Sequence, residues 1–312
     1  YEPFIRRAAG LGPAPTAEDP DFYDKRHAHC DVLVIGAGPA GLAAARSASA
    51  GGARVIVIDE RAAPGGSLLA SSDQIDNLPA ADWAAQETNA FANRQDTRLL
   101  RRTTAIGLYD HNLVMAAERL ADHDPARAGP RQRLWQIRAG HVILATGAHE
   151  QPLQFGNNDL PGVMLASAGL MFARQYGALP GRRVIITTAN DYGHEVARGM
   201  IEAGAEIAAV VDSRPSAPAS DQFSVIAGGT ILQARGRKRV SAVDIAAKGR
   251  TSTVACDAVL MSGCWQPTLH LHSHSGGRSR YDEEAGCFVP ANSLPNVTSV
   301  GGCKGDFTLS AC

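Results

Sequence analysis

Two short apolar runs, separated by a segment of small residues, dominate the hydrophobic pattern near the start of the chain. Residues 32–35 are all aliphatic and lack polar alternation, which is typical of a parallel strand covered on both faces. Residues 42–50 are mostly small and predict a helix that ends at Gly51 and Gly52. Because 54–58 contains a second aliphatic run, the pattern predicts a strand, a helix and a second strand in succession.

The same pattern returns in the middle of the chain. A predicted strand at 181–187, aliphatic at 184–186, precedes a predicted helix at 192–203. A second predicted strand at 204–214 ends in the sequence D-S-R at 212–214. The first unit ends comparably, in D-E-R at 59–61. The sequence therefore predicts two copies of one βαβ module.

Further strands and one more helix are predicted around the two modules. We expect a helix at 82–95, a third parallel strand and its exit at 98–108, and an antiparallel ribbon from 113–117 and 134–138. Apolar strands are expected at 141–144 and 258–261, the latter buried, and a further strand at 297–300, with short strands between 224 and 256. These elements together predict an α/β fold.

The turn after the first strand carries the chain's clearest chemistry. Gly36, Gly38 and Gly41 form G-x-G-x-x-G, in which the glycines permit a tight turn, close approach to a pyrophosphate and close helix packing, respectively. The amides at the start of the helix would face the diphosphate. Asp59 and Glu60 follow about 20 residues later, where a carboxylate accepts the ribose hydroxyls and repels a 2'-phosphate. The unit predicts dinucleotide binding.

Four other segments are candidates for contact with the same ligand. Gly65 and Gly66 permit a turn from which Ser67 could reach a phosphate or ribose, although a simple connecting loop would have the same sequence. The backbone of Ile106 is the candidate to pair with the adenine edge. Small residues at 145–147, in the sequence A-T-G, let a strand end abut the dinucleotide. Asp306 could accept a ribose hydroxyl or cap a helix that begins there.

The second module lacks the intact glycine turn. Aligned strand with strand, Thr188 and Asn190 stand where the first two glycines should be, and only Gly193 is in register. Side chains at those positions would occupy the space that a pyrophosphate needs. We therefore expect a second nucleotide fold that has lost its nucleotide.

Composition excludes several function classes. The 312 residues are 45% hydrophobic, which is ample for one large or two medium domains. The formal charge of -1 gives no reason to expect nucleic acid or an anionic membrane as a partner. No apolar run reaches the roughly 18 residues of a membrane span, and no signal peptide is recognisable. We expect a soluble, cytoplasmic protein.

Cysteine and histidine positions do not favour a metal or redox site. The six cysteines, Cys312 among them, include no CxxC pair, so we expect buried, reduced thiols rather than a zinc site or a redox dithiol. His27 and His29 stand beside Cys30, but we interpret them as alternating polar residues that lead into the first strand rather than as metal ligands. His270, His272 and His274 alternate, which on a strand would put them on one face, but no carboxylate or thiol nearby completes a metal site.

The beginning of the chain differs in character from the rest. Residues 1–30 are rich in proline, glycine and charge and lack a sustained period, so we expect an extended surface arm. Because the chain begins at Tyr1 rather than Met, we also expect it to be a fragment of a longer protein.

These motifs together resemble a known family. They are V-x-V-I-G-A-G-P-A-G-L at 32–42, D-E-R at 59–61, G-G-S at 65–67, A-T-G-A-H-E at 145–150, N-D-L-P-G-V-M-L at 158–165 and G-D at 305–306. The set resembles the FAD/NAD(P)-linked oxidoreductases with two dinucleotide-binding domains. The arm E-P-F-I-R-R-A-A-G-L-G, Y-D-H at 109–111, R-Q-R-L-W-Q-I-R-A at 131–139 and G-C-F-V-P at 286–290 are more specifically similar to the α subunits of heterotetrameric sarcosine oxidases.

The resemblance implies two Rossmann-like domains of the glutathione and thioredoxin reductase type, the first split in sequence by the second. It places the first domain at 31–152 and 263–312 and the inserted domain at 153–262. It also implies that the chain lacks a small N-terminal domain and a C-terminal tetrahydrofolate-binding domain.

The resemblance further implies the cofactors and partners. NAD+ is expected in this chain, with FAD as the alternative because both share the ADP half. A β subunit carrying FAD and the amine-oxidising site, a covalently attached FMN at the subunit interface, and smaller subunits complete the heterotetramer. No catalytic residue is expected in this chain. The expected cofactor-binding residues are Gly36, Gly38, Ala40, Gly41, Asp59, Glu60, Arg61, Ser67, Ile106, Ala145, Thr146, Gly147, Gly302, Asp306, Phe307 and Leu309.

Three functions follow as hypotheses. The first is the cofactor-binding region of a secondary-amine oxidase, with sarcosine, opine, proline and hydroxyproline as possible substrates. The second is a stand-alone FAD-dependent NAD(P)H or disulfide reductase, which would require an intact second glycine turn and a reactive cysteine pair. The third is a non-enzymatic nucleotide sensor.

Overall fold

A computed structural model describes residues 1–14, 16–124 and 126–311. The helices are α1 Glu2–Ala8, α2 Pro39–Ala50, α3 Ala80–Ala92, α4 Ala166–Tyr176, α5 Tyr192–Glu202 and α6 His270–His274. The strands are β1 Tyr23–Ile35, β2 Val55–Ile58, β3 Gln74–Ile75, β4 Leu78–Pro79, β5 Thr97–Leu100, β6 Thr103–Tyr109, β7 Leu113–Arg119, β8 Gln132–Leu144, β9 Ala148–Glu150, β10 Val163–Leu165, β11 Arg183–Thr188, β12 Glu206–Asp212, β13 Val225–Ala227, β14 Thr230–Gly236, β15 Val240–Ala247, β16 Arg250–Ala255, β17 Ala258–Ser262, β18 Trp265–Pro267, β19 Ser279–Asp282, β20 Cys287–Pro290 and β21 Val297–Ser299.

The first sheet is built on parallel strands in the order β5-β2-β1-β8, with β21 beside β8. Its central strands are aliphatic because both faces are covered. One face packs in a cluster with α2 and α3 that contains Val34, Val57 and Trp83, and the other packs in a cluster that contains Leu33 and Leu144. This sandwich fixes the carboxyl ends of the strands at one edge, where open α/β sheets bind ligands.

On its other edge, the first half of β8 pairs antiparallel with β7, and β6 and β7 form an antiparallel ribbon there. The segment expected as one strand at 98–108 is in fact two: β5 ends at Leu100, and β6 begins at Thr103 in the ribbon. The reason is a turn in which Arg102 adopts a positive φ of 54°.

The expectation of an extended arm over residues 1–30 is wrong at both of its ends. Residues 2–8 form helix α1, and β1 begins at Tyr23 rather than after residue 30. The early start of β1 follows from tertiary pairing, because residues 23–30 lie parallel to residues 132–139 of β8. His27 and His29 therefore lie within a strand, and the His27 ring bonds Gln136.

The second sheet repeats the architecture of the first. Its five strands are parallel, in the order β10-β17-β11-β12-β13, and a separate antiparallel sheet, β14-β15-β16, follows β13 as the ribbon follows β5. After this second unit, β21 returns to the first sheet. The predicted α/β fold of two Rossmann-like units, the first interrupted by the second, is confirmed. The boundaries at 152/153 and 262/263 stay predictions.

Two short strands, β9 and β18, pair where the chain passes between the two units. Beyond β18, His270, His272 and His274 lie on the single short helix α6, so the strand on which we expected them to share one face is wrong. His272 is buried, whereas His270 and His274 are exposed. None of the helices described in the three ranges is long and apolar enough to cross a membrane.

Candidate dinucleotide-binding site

In the glycine turn between β1 and α2, close backbone contacts exclude a side chain at two of the glycines, and the third glycine borders open space. Gly36 has a φ of 102°, and a Cβ there would clash with the carbonyl oxygen of Ala145. A Cβ on Gly41 would clash with the carbonyl oxygen of Gly36. In contrast, a Cβ on Gly38 would have no closer neighbour than the Cα of Gly66, 4.0 Å away. Gly38 therefore borders open space, as the pyrophosphate role requires.

The start of α2 offers free hydrogen-bond donors beside this space. Gly38 is the N-cap and supplies no side-chain cap, and Pro39 has no N–H. The N–H of Leu42 donates to the carbonyl of Gly38, but within the described ranges no acceptor faces the N–H groups of Ala40 and Gly41. Unpaired amides at a helix N-terminus form a binding site for an anion such as a diphosphate.

The Gly65-Gly66 turn packs directly on the glycine turn. Gly65 and Gly66 have φ values of 132° and 57°, and the N–H of Gly65 donates to the carbonyl of Ala37 at 2.7 Å. Ser67 follows, exposed, in a short 3-10 helix, Gly66–Ala70. The turn thus brings the Ser67 hydroxyl to the same edge as Gly38.

Asp59 and Glu60 have different surroundings at the end of β2. The carboxylate of Asp59 is buried and accepts the N–H of Ala37 at 2.6 Å and the N–H of Arg61 at 2.8 Å, so it joins the glycine turn to the strand end. Burial raises the pKa of the Asp59 carboxyl. Glu60 is exposed, so it is the carboxylate more accessible to ribose hydroxyls.

Arg61 leaves the strand end toward the second unit. Its Nη1 lies 3.6 Å from the Sδ of Met171 on α4, so a helix of the second unit borders the loop that follows β2. Nothing in the sequence near Arg61 could have indicated Met171, because the two residues meet only through the packing of α4 against the Gly66–Ala70 turn.

Ile106 lies at an irregularity of the ribbon. The register between β6 and β7 shifts between Ala105 and Gly107, so Ile106 is the extra residue of a β-bulge. A bulged residue is left out of the ladder, which frees its backbone N–H and C=O. Ile106 is 56% exposed, and the bulge makes its backbone the candidate to pair with an adenine edge.

The A-T-G segment closes β8 next to the glycine turn. The N–H of Ala145 donates to the carbonyl of Ile35 at 2.9 Å, and the Thr146 hydroxyl donates to the carbonyl of Thr268 at 2.9 Å. A Cβ on Gly147 would meet no atom within 4 Å. Ala145 is thus part of the packing below the site, whereas Gly147 borders open space.

The segment after β21 completes this edge of the sheet. A Cβ on Gly302 would lie 3.3 Å from the carbonyl carbon of Gly147, and Leu309 packs against the cluster that contains Leu42. Asp306 lies in a turn, 3.5 Å from Lys304 Nζ, and Phe307 is 38% exposed. The helix expected to begin at Asp306 does not form there, since the next regular element is the 3-10 turn Leu309–Ala311.

The corresponding turn of the second unit is filled by its own side chains. The Asn190 Oδ1 accepts the N–H of Tyr192 at 3.0 Å, and its Nδ2 donates to the Ser262 hydroxyl and the Gly263 carbonyl. The Thr188 hydroxyl donates to the Asn190 carbonyl at 2.9 Å. The side chains of Thr188 and Asn190 therefore bond within the turn, and Asn190 takes the first N–H of the helix end that would hold a phosphate.

The acidic residue of the second unit is also occupied. The Asp212 carboxylate is buried and accepts hydrogen bonds from Arg214 and from the His194 ring. Burial by itself would raise the pKa of Asp212, but the bonds from Arg214 and His194 outweigh it, and the pKa is lowered overall. Arg214 also pairs with Asp191 at the start of α5, where a carboxylate would repel a phosphate.

The five cysteines in the described ranges are free, and Cys312 lies outside those ranges. Burial raises the thiol pKa of all five, to about 11 for Cys30 and Cys256. A raised pKa disfavours the reactive thiolate form.

Comparison with known proteins agrees with this geometry. Residues 30–262 match the family described as pyridine nucleotide-disulphide oxidoreductase. The α subunit of sarcosine oxidase from Rhizobium meliloti (strain 1021) is 45% identical over 316 aligned residues, which cover 100% of this chain and 32% of that protein. The chain therefore spans about a third of the length of this relative.

Two solved structures share the fold. L-proline dehydrogenase from P. horikoshii superposes with a TM-score of 0.71 at 20% identity, over 93% of this chain and 56% of that one. Thioredoxin reductase from T. acidophilum superposes with a TM-score of 0.69 at 17% identity, over 91% and 93% of the two chains. The family and fold imply a flavin- or nicotinamide-type dinucleotide, and the open space at Gly38, the free amides and the exposed Glu60 fit one.

Proposed function

The chain belongs to the pyridine nucleotide-disulphide oxidoreductase family, and we propose that it is the NAD+-binding α-subunit region of a multisubunit, flavin-dependent secondary-amine oxidase. The proposed reaction is that of sarcosine oxidase: sarcosine, oxygen and tetrahydrofolate give glycine, methylene-tetrahydrofolate and hydrogen peroxide. In this proposal the enzyme is cytoplasmic, and tetrahydrofolate binds a domain outside this chain.

One observation carries the proposal: the chain has one open nucleotide turn and one that is filled by its own residues. A reductase that passes hydride between two bound cofactors needs two such sites. With Asn190 bonded at the start of α5, the described residues offer one open nucleotide turn, which does not suffice for such a relay. The identity along the whole chain to a sarcosine oxidase α subunit supports a role in an amine-oxidising assembly.

In this proposal the chain's own residues bind and orient the dinucleotide. The amides of Ala40 and Gly41 bind the pyrophosphate, Glu60 accepts the adenosine ribose hydroxyls, and the Ile106 backbone pairs with adenine. Oxidation of the amine requires a flavin as two-electron acceptor, which the proposal assigns to the β subunit, with FMN at the subunit interface. The remaining subunits complete a heterotetramer.

The identity of the nucleotide is tested most directly by release. The full polypeptide is purified without its partners and denatured, and the released nucleotide is identified by chromatography and absorption. We expect a colourless protein that releases NAD+. Release of FAD, with the visible absorption of an oxidised flavin before denaturation, would contradict the NAD+ assignment and favour the stand-alone reductase.

The substrate can be identified only with the assembled enzyme. We expect hydrogen peroxide formation with sarcosine to exceed that with proline, hydroxyproline or an opine at equal concentration. A higher rate with one of those three would reassign the chain to a related dehydrogenase of the same architecture.

A further inference from the structure

Arg119 ends β7, far in sequence from the acidic residues of the site, and is bonded to one of them. Its Nη2 donates to the main-chain carbonyl of Glu60 at 2.7 Å. The N–H of Arg119 donates to the carbonyl of Arg102, and the N–H of Arg102 donates to the carbonyl of Arg61, both at 3.0 Å. The ribbon therefore holds the loop after β2 by main-chain bonds and by one guanidinium.

The second unit repeats the main-chain part of this arrangement. In the first unit Thr103 donates to the carbonyl of Asp59, and Arg102 to that of Arg61. The equivalent bonds join the N–H of Gly229 to the carbonyl of Asp212 at 3.0 Å, and the N–H of Gly228 to the carbonyl of Arg214 at 3.1 Å. These two bonds belong to the common architecture, because both units have them whether or not the glycine turn is open.

The guanidinium bond has no counterpart in the second unit. Thr103 lies opposite Glu118, one residue before Arg119. Its counterpart Gly229 directly precedes Thr230, which lies opposite Ala246, so the position that corresponds to Arg119 is Lys248, just after β15. Lys248 is exposed, and its side chain makes no hydrogen bond to the described residues. The guanidinium bond thus occurs in the unit with the open turn and is missing where the turn is filled, which associates it with binding rather than with folding.

We propose that Arg119 is a positioning residue that orients Glu60 toward the adenosine ribose. The proposal rests on the dinucleotide-binding function proposed above. The bonded carbonyl belongs to the peptide between Glu60 and Arg61. The guanidinium therefore restricts the ψ torsion of Glu60 and, with it, the direction in which the exposed carboxylate points. A side chain that is already oriented loses less conformational freedom when the ligand binds, and the ligand binds more tightly.

The test is a double-mutant cycle on NAD+ affinity, measured by calorimetry on the full polypeptide after its bound nucleotide has been removed. Arg119→Ala should weaken binding about three- to ten-fold, which corresponds to the net free energy of one ordinary protein hydrogen bond. In a Glu60→Gln background the same change should have no further effect, because Arg119 acts through Glu60. A matched control is Arg138→Ala, which removes another exposed arginine of the ribbon, bonded to the carbonyl of His111.

Three results would overturn the proposal. Arg119→Ala could leave the affinity unchanged, it could weaken binding equally in the Glu60→Gln background, or it could lower the melting temperature of the nucleotide-free protein more than Arg138→Ala does. The wild-type measurement separates this proposal from the proposed function. A wild-type chain that binds FAD instead of NAD+ contradicts the NAD+ assignment, and the cycle is then measured with FAD, which has the same ribose. A chain that binds neither overturns both.

Discussion

Gly38 and Gly66 come together across the nucleotide turn although 28 positions separate them in the sequence. A Cβ on Gly66 would lie 2.9 Å from the Cα of Gly38, so the backbone of Gly38 leaves no room for a side chain on Gly66. Gly66 has a positive φ and is therefore restricted twice, by conformation and by contact. The approach places two turns side by side and leaves the outer face of Gly38 open.

This relationship predicts opposite outcomes for two glycine substitutions. Gly38→Ala puts a methyl group into open space at an ordinary φ of -76°, so the fold should tolerate it, while the pyrophosphate should be displaced. We expect a loss of NAD+ affinity of roughly ten-fold or more, about 1.4 kcal/mol, with an unchanged melting temperature of the nucleotide-free protein.

Gly41→Ala is the matched comparison, because its methyl group would clash with the carbonyl oxygen of Gly36. We expect it to lower the melting temperature whether or not nucleotide is present. If Gly38→Ala binds NAD+ as tightly as the wild type, the open space at Gly38 does not hold the pyrophosphate.

The bulge at Ile106 predicts that the adenine is recognised through the main chain. Replacing the adenine of NAD+ with hypoxanthine exchanges a donor for an acceptor and an acceptor for a donor, so both main-chain bonds are lost. We expect roughly ten-fold weaker binding, which corresponds to one or two hydrogen bonds. Ile106→Ala should change the affinity for NAD+ little. Equal affinity for the two nucleotides would contradict the assignment of Ile106.

Asn190 predicts a stability effect in the second unit. Asn190→Ala removes the acceptor for the N–H of Tyr192 and two bonds to the end of β17, and should lower the free energy of unfolding by about 1 to 2 kcal/mol. The nucleotide content should stay at one per chain, because Thr188 and the Asp191–Arg214 pair still fill the turn. The appearance of a second nucleotide would show that Asn190 alone blocks the site.

Glu150 predicts a pH dependence of stability. Its carboxyl is buried on β9, where Oε2 accepts the N–H of Ser167 and Oε1 has no hydrogen-bond partner among the described residues. Burial raises the pKa of this carboxyl above the ordinary 4.5. The folded state therefore holds the proton at a pH where the unfolded state has lost it. Stability falls as pH rises from 4.5 through the folded-state pKa.

Glu150→Gln removes this titration. We expect the variant to gain stability relative to the wild type at pH values above that window and to gain little below it, as measured by urea unfolding across pH. Glu283→Gln, at an exposed position, is the control and should show no such difference between the two ranges. A gain that is independent of pH would mean that Glu150 does not titrate in this window.

The local sequence determined the two βαβ units and the open turn. The aliphatic strand β2 and the aliphatic centre of β11 favour the middle of a covered parallel sheet, and G-x-G-x-x-G has few alternatives between such a strand and a helix. Thr188 and Asn190 likewise predicted a filled second turn, because a side chain cannot share the space of a phosphate.

Only the tertiary structure decided which groups meet at the site. The start of β1 at Tyr23 and the bulge at Ile106 both depend on pairing with distant segments, which local periodicity does not encode. Tertiary contacts also decided the different environments of Asp59 and Glu60. Adjacent carboxylates are equivalent in the sequence, and the packing of the glycine turn buries one, while the guanidinium of Arg119 holds the backbone of the other.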